Sequence, residues 1–180
     1  MSQKKSPTFC IVVDCSIARA AGGLDSVHPQ GTICREFLKS IHTHNHRLAW
    51  SAEIKAEWDK HQSYYATGWL LAMERRGKVR RILTSSDLVD AVFEVSLEDG
   101  VKVAVLKDAH LVQAAIQTDQ RISSLDDKAR NHFANLVAAI QPLGSILWVN
   151  PTHEVEGAIS WLANGLPDEV WRRLSNVLRS

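Results

Sequence analysis

Carboxylates set at the ends of apolar runs are the residues of this chain best suited to do chemistry. "FCIVVD" ends a run of apolar and β-branched residues at Asp14, and "KDAHLVQAAIQTDQRISSLDD" carries Asp108 near its start and Asp126 and Asp127 at its end. Asp is a good helix cap and turn residue, so each acid alone has a plain structural reading. A carboxylate closing a buried strand, however, is costly unless something pairs with it. Crowded carboxylates also repel one another and stay ionised only when a cation neutralises them. Their hard oxygens suit Mg²⁺ or Mn²⁺, ions that complete their shells with water and phosphate oxygens. The chemistry implied is hydrolysis of a phosphodiester.

The elements that must position these acids follow from local pattern. Phe9 to Asp14 reads as a strand buried on both faces. "GTICREFLKSIHTH" has helical spacing at Ile33, Phe37, Leu38 and Ile41, "HRLAW" reads as a second strand, and Ser51 caps a helix in "SAEIKAEWDKHQ". A longer helix covers "YYATGWLLAMERRG" and stops near Gly77. Between Ser85 and Leu106, "DLVDAVFEV" looks helical and "VKVAVL" alternates like a strand. Asp108 then opens a helix with Leu111, Val112, Ala115 and Ile116 on one face. "RISSL" forms a short strand, Asp127 opens the helix "DKARNHFANLVAAI", "SILWVN" is a late strand, and short helices around Trp161 and Trp171 finish the chain. Alternating strands and helices predict a parallel sheet of four to five strands with helices on both faces.

In such a sheet, strand carboxyl ends and the amino ends of following helices share one edge, where ligands bind. Asp14 and Asp126 end strands there, Asp108 opens a helix there, and Glu57 lies two turns into the helix begun at Ser51. Four carboxylates from four distant stretches thus converge.

"VVDCS", "SAEIKAEW" and "KDAHLVQAAIQTDQRISSLDD", in that order, resemble the PIN-domain nucleases over roughly residues 9–149. The resemblance implies a three-layer α/β/α sandwich and metal-dependent cleavage of RNA, with Mg²⁺ or Mn²⁺ as cofactor. It matches Asp14, Glu57, Asp108 and Asp126 to the family's acidic cluster, and Ser16 and Ser124 to small hydroxyl residues around it. Glu53, one turn before Glu57, could share or replace its role, and Asp127 that of Asp126. The whole chain, 1–180, is then one domain with a helical C-terminal extension over 150–180. Two contexts fit an enzyme of this kind, the toxin of a toxin-antitoxin pair or a defence-linked nuclease. The segment around 60–106 exceeds the compact toxin pattern. An antitoxin or other protein partner and a homodimer are implied by resemblance only. The rival from another class is an inactive PIN-like module that binds protein or RNA.

Other residues were weighed against these. "RRGKVRR" gathers Arg75, Arg76, Lys78, Arg80 and Arg81, which suit either RNA phosphates or a solvated helix end. His42, His44 and His46 in "HTHNH" read as an exposed helix end and loop rather than a metal site. Trp69, Trp148 and Trp161 sit in apolar patterns, while Trp58, beside Glu57, is the tryptophan to test for base stacking. A haloacid-dehalogenase-type phosphatase needs a second Asp two residues after the first, where this chain has Ser16, and no glycine-rich phosphate loop follows the first strand.

Composition sets the outer bounds. With 180 residues, 45% of them hydrophobic, the chain can bury one full core, and its net charge of +1 neither demands nor excludes a polyanionic partner. Cys10, Cys15 and Cys34 are odd in number and lack CxxC spacing, which argues against a disulfide framework and a zinc cage and fits a reducing cytoplasm. The apolar run after the basic start is too short for a signal peptide, and none reaches a membrane span.

Overall fold

The computed structural model describes residues 7–23 and 27–177. Five strands form one parallel sheet: β1 (Cys10–Val13), β2 (Arg47–Trp50), β3 (Val79–Arg81), β4 (Arg121–Ser123) and β5 (Leu147–Val149), in the spatial order β3-β2-β1-β4-β5. Every residue of β1, β4 and β5 is buried, which explains their unbroken apolar character.

Helices fill the crossovers. α1 (Cys15–Ala20) and α2 (Pro29–Thr43) link β1 to β2, and α3 (Ala52–His61) and α4 (Tyr64–Arg75) link β2 to β3. α5 (Asp87–Glu94) and α6 (Asp99–Ile116) link β3 to β4, and α7 (Asp127–Asn135) leads to β5. The chain moves outward from β1 through β2 to β3 and then returns to the other side of β1. Right-handed crossovers therefore place α2 with α4 on one face and α6 with α7 on the other, and these pairs do pack together. The result is a three-layer α/β/α sandwich. Its strand order reverses between β1 and β4, and a crevice opens at that point outside the strands' carboxyl ends.

α8 (Ala158–Ala163) and α9 (Leu174–Val177) close the chain, and Ala158, Trp161, Leu162, Leu166 and Leu174 enter the same hydrophobic core as the sheet. Buried polar groups staple this stretch down: the guanidinium of Arg121 donates to Leu166 C=O from Nε at 3.0 Å and from a terminal nitrogen at 2.7 Å. His46 does the same from the other side. Its Nδ1 accepts from the Phe9 backbone N–H at 3.2 Å, and its Nε2 donates to Leu162 C=O at 2.9 Å.

Several local expectations are corrected. "VKVAVL" is helical, part of the first half of α6, because Glu98 and Asp99 start the helix well before Asp108. Asp108 therefore sits mid-helix and caps nothing. Val79–Arg81, read as a cationic helix end, is the edge strand β3, paired through Leu48↔Val79. The strand in "RISSL" ends at Ser123, so Asp126 follows it by three residues and caps α7 instead. Ile33 faces solvent and Cys34 takes its place in the buried stripe of α2. Trp171 lies in a 3-10 turn, Val170–Arg172. His46 is fully buried, not part of an exposed loop. No helix among the described residues is long and apolar enough to cross a membrane.

Candidate active site

Asp14 is the N-cap of α1 and leaves β1 at the crevice, its backbone N–H still donating to Ser123 C=O at 2.9 Å. Two hydroxyls fix its carboxylate: Ser16 Oγ donates to Oδ2 at 2.6 Å and Ser124 Oγ donates to the same oxygen at 2.5 Å. Oδ1 accepts from the Ser16 backbone N–H at 3.3 Å. The same serines bind onward, since Ser16 Oγ accepts from Leu125 N–H (3.2 Å) and Ser124 Oγ from Asp126 N–H (3.0 Å). The turn between β4 and α7 is thereby built around Asp14. Both serines expected to support the acid do so by direct contact.

Asp126 caps α7, its Oδ1 accepting from Ala129 N–H at 2.9 Å. Glu57 owes its place to its neighbour. Trp58 is fully buried and its Nε1 donates to Val13 C=O at 3.0 Å, which pins α3 over the end of β1. A base cannot stack on a ring so enclosed, so Trp58 is an anchor, not a platform.

Asp108 reaches the crevice by helix length. The second half of α6 buries Ala109 and Leu111 to Ala115, whereas Asp99–Lys107 buries only Val105 fully. The buried half, about nine residues, spans roughly 13 Å, matching a four-residue strand of about 13 Å. The sheet therefore ends level with Asp108 and the first half of α6 overhangs it. The expected level was right although the expected helix start was not.

These side chains surround one narrow cavity of about 160 Å³, lined by Asp14, Cys15, Ser16, Arg19, Glu57, His61, Lys107, Asp108 and Asp126. All four expected acids are in the lining. Glu53 is not: it points outward, accepting from Thr84 Oγ1 at 2.9 Å, and its pKa is held down first by the Ser51 hydroxyl. Asp127 is not either, since its Oδ2 accepts from Asn150 Nδ2 and lies by His153 Nε2, both at 3.1 Å. Of each pair of alternatives, Glu57 and Asp126 line this cavity and Glu53 and Asp127 do not.

The electrostatics match the crowding. Asp108 has its pKa pushed up to about 6, chiefly by burial and then by the charges of Asp14, Asp126 and Glu57, against the opposing pull of Lys107. Lys107 Nζ stands 4.0 Å from Asp108 Oδ1 with its side chain largely in solvent, so its relief is partial. A group with this surplus of negative charge and a small polar cavity fits a hard divalent cation. The tightest trio of ligand atoms, from Asp14, Cys15 and Glu57, lies within 4.8 Å of one another, with Asp108 and Asp126 on the surrounding wall.

Two neighbours escaped sequence reasoning. Cys15 had been read only through cysteine counting, yet its place directly after Asp14 puts it in the trio. Its thiol is pushed up to about 12 by burial, then by Asp14 and Glu57, so it is neutral at physiological pH. His110 donates from Nδ1 to Lys107 C=O at 3.1 Å and places Nε2 3.2 Å from Glu57 Oε2, an ion pair when the ring is protonated. That Nε2 is buried and not aligned for a hydrogen bond. No local signal marked it, because α6 was expected to begin beside it. The cationic cluster sits elsewhere: Arg75 and Arg76 end α4, Lys78 to Arg81 run along the outer edge strand, and Arg81 pairs with Glu74 at 3.0 Å.

Compared with known proteins, the chain matches no family model, no curated protein and no solved structure.

Proposed function

We propose that this chain is a metal-dependent ribonuclease of the PIN-like kind, using Mg²⁺ or Mn²⁺ to hydrolyse RNA phosphodiester bonds. The observation that carries the reading is the convergence of Asp14, Glu57, Asp108 and Asp126 on one small cavity at the sheet's switch point, with Asp108 pushed up to about 6 chiefly by burial and then by the other three acids. Asp14 and Glu57 are the principal ligands, Asp14 being held in one rotamer by Ser16 and Ser124. Asp108 and Asp126 complete the negative wall and would hold a water in hydrogen-bonding reach of the incoming phosphate. Lys107, in the cavity lining, offers positive charge to the phosphate oxygens. A divalent ion bound by these carboxylates supplies the Lewis acidity that activates water and polarises the phosphate.

The test is cleavage of labelled single-stranded RNA and DNA with Mg²⁺, Mn²⁺ or EDTA. Metal-dependent cutting of RNA, lost in Glu57→Gln and Asp108→Asn proteins that melt normally, is the expected result. A second reading, an inactive binding module, draws on Asp14 being a structural hub of the β4–α7 turn, a role that would keep the acid without catalysis. Its signature is RNA binding with no cutting under any metal.

A further inference from the structure

The acidic cavity does not stand alone. It opens into a larger groove of about 610 Å³ between α1, the start of α2 and the start of α7, and the two share Ser16, Arg19 and Asp126. The cavity is below the ~300–1,000 Å³ typical of organic ligand sites, whereas the groove falls inside that range. The cavity thus has room for an ion and one phosphate, and the rest of any substrate must lie outside it.

Two cations flank the groove, Arg19 and Lys128, and both are exposed. Among the described residues neither side chain makes an ion pair or a hydrogen bond, although Asp14, Asp126 and Asp127 are close by in sequence or space. The acids have other partners: Asp126 caps α7, and Asp127 is taken by Asn150 and His153. Lys128 is also misplaced for helix stability. It lies in the first turn of α7, where the helix macrodipole disfavours a positive charge. A cation kept where it destabilises its own helix, unpaired and beside an acidic centre, suits an anionic ligand.

We infer that this groove carries the single-stranded nucleic acid away from the scissile phosphate, with Arg19 and Lys128 each contacting a neighbouring backbone phosphate. Contacts of this type carry no sequence information and set register. The inference rests on the nuclease reading above and gives it a direction: the strand leaves past α1 and α7, not past the cationic edge strand β3.

The experiment is a fluorescence-polarisation titration of labelled single-stranded RNA across a salt series, in an Asp108→Asn background so that no cutting intervenes. Arg19→Ala and Lys128→Ala should each flatten the slope of log Kd against log salt by about 0.7, and the double variant by about 1.4, with roughly ten-fold weaker binding at low salt. Arg80→Ala, on β3, should leave both unchanged. Thermal melts of each variant separate fold from function, since loss of one exposed cation should leave the melting temperature nearly unchanged while binding weakens. Binding by the double variant equal to the parent, or a larger loss in Arg80→Ala, overturns the groove while the nuclease reading stands. A parent that binds neither RNA nor DNA overturns both.

Discussion

Asp14 has two tasks, and they explain why its substitution is a poor probe. Its carboxylate caps α1 and receives two serine hydroxyls that in turn hold the β4–α7 turn. Asp14→Asn can keep its oxygen on the two hydroxyls only by turning its NH2 toward the Ser16 backbone N–H, itself a donor, and a cost of about 1–3 kcal/mol is expected in denaturant melts. Asp108 is the opposite case. Its folded pKa, about 6, lies above the ordinary 3.8, so the folded state binds more protons between these values and stability falls as pH rises through that window. Asp108→Asn should therefore raise stability at pH 7.5, by about 1–2 kcal/mol after allowance for solvent screening, and flatten the pH dependence between about 4 and 6. Chemical denaturation at pH 4 and pH 7.5 checks this; an Asn variant less stable at pH 7.5 contradicts it. The cysteines give a further check. Burial pushes Cys10 and Cys15 up to about 12 and Cys34 to about 11, so at pH 8 iodoacetamide should alkylate the native protein more slowly than unfolded chain, on the order of a thousand-fold at Cys10 and Cys15 and a hundred-fold at Cys34, as read by mass spectrometry.

Elements place these residues, and here the chain was only partly legible. The β1 strand and its terminal Asp, the Ser51 cap and the apolar stripe after Asp108 are local signals, and each stands in the structure. The start of α6 was not legible, because Val101, Val103 and Val105 alternate as a strand would while α5 packs along the helix and settles the matter. The edge strand β3 was hidden for a related reason: two of its three residues are exposed arginines, and only pairing with β2 makes them a strand. The roles of Trp58 and His46 could not be read, since they rest on hydrogen bonds to backbone groups far along the chain, one for Trp58 and two for His46. Trp58→Phe should keep most of the buried volume yet leave Val13 C=O without that donor, costing about 1–2 kcal/mol in denaturant melts. It should also lower the proposed nuclease activity through displacement of Glu57. Unchanged activity in a destabilised Trp58→Phe protein would separate the anchor from the site. Burial lowers the pKa of His46, so the unfolded chain takes up a proton first. Stability contributed by this ring is present above the ordinary pKa of 6.5 and falls as pH drops below it; a His46→Asn variant should lack that acid-side loss.

At the scale of the molecule, a reversal of strand order at β1 and β4 makes the crevice, and the acids are the residues that the elements bring to it. The C-terminal stretch, expected as an extension, is fastened to the sheet by His46, Arg121 and the buried Trp161, so the core of the sandwich includes it. The proposed chemistry requires that the cavity hold a divalent cation. The most direct test is isothermal titration of Mn²⁺ into the folded protein and into Glu57→Gln. Saturable binding that weakens about 10–100-fold in the variant is the result predicted. Absence of Mn²⁺ and Mg²⁺ binding, or binding equal in both proteins, would contradict it and leave the four carboxylates as structural groups.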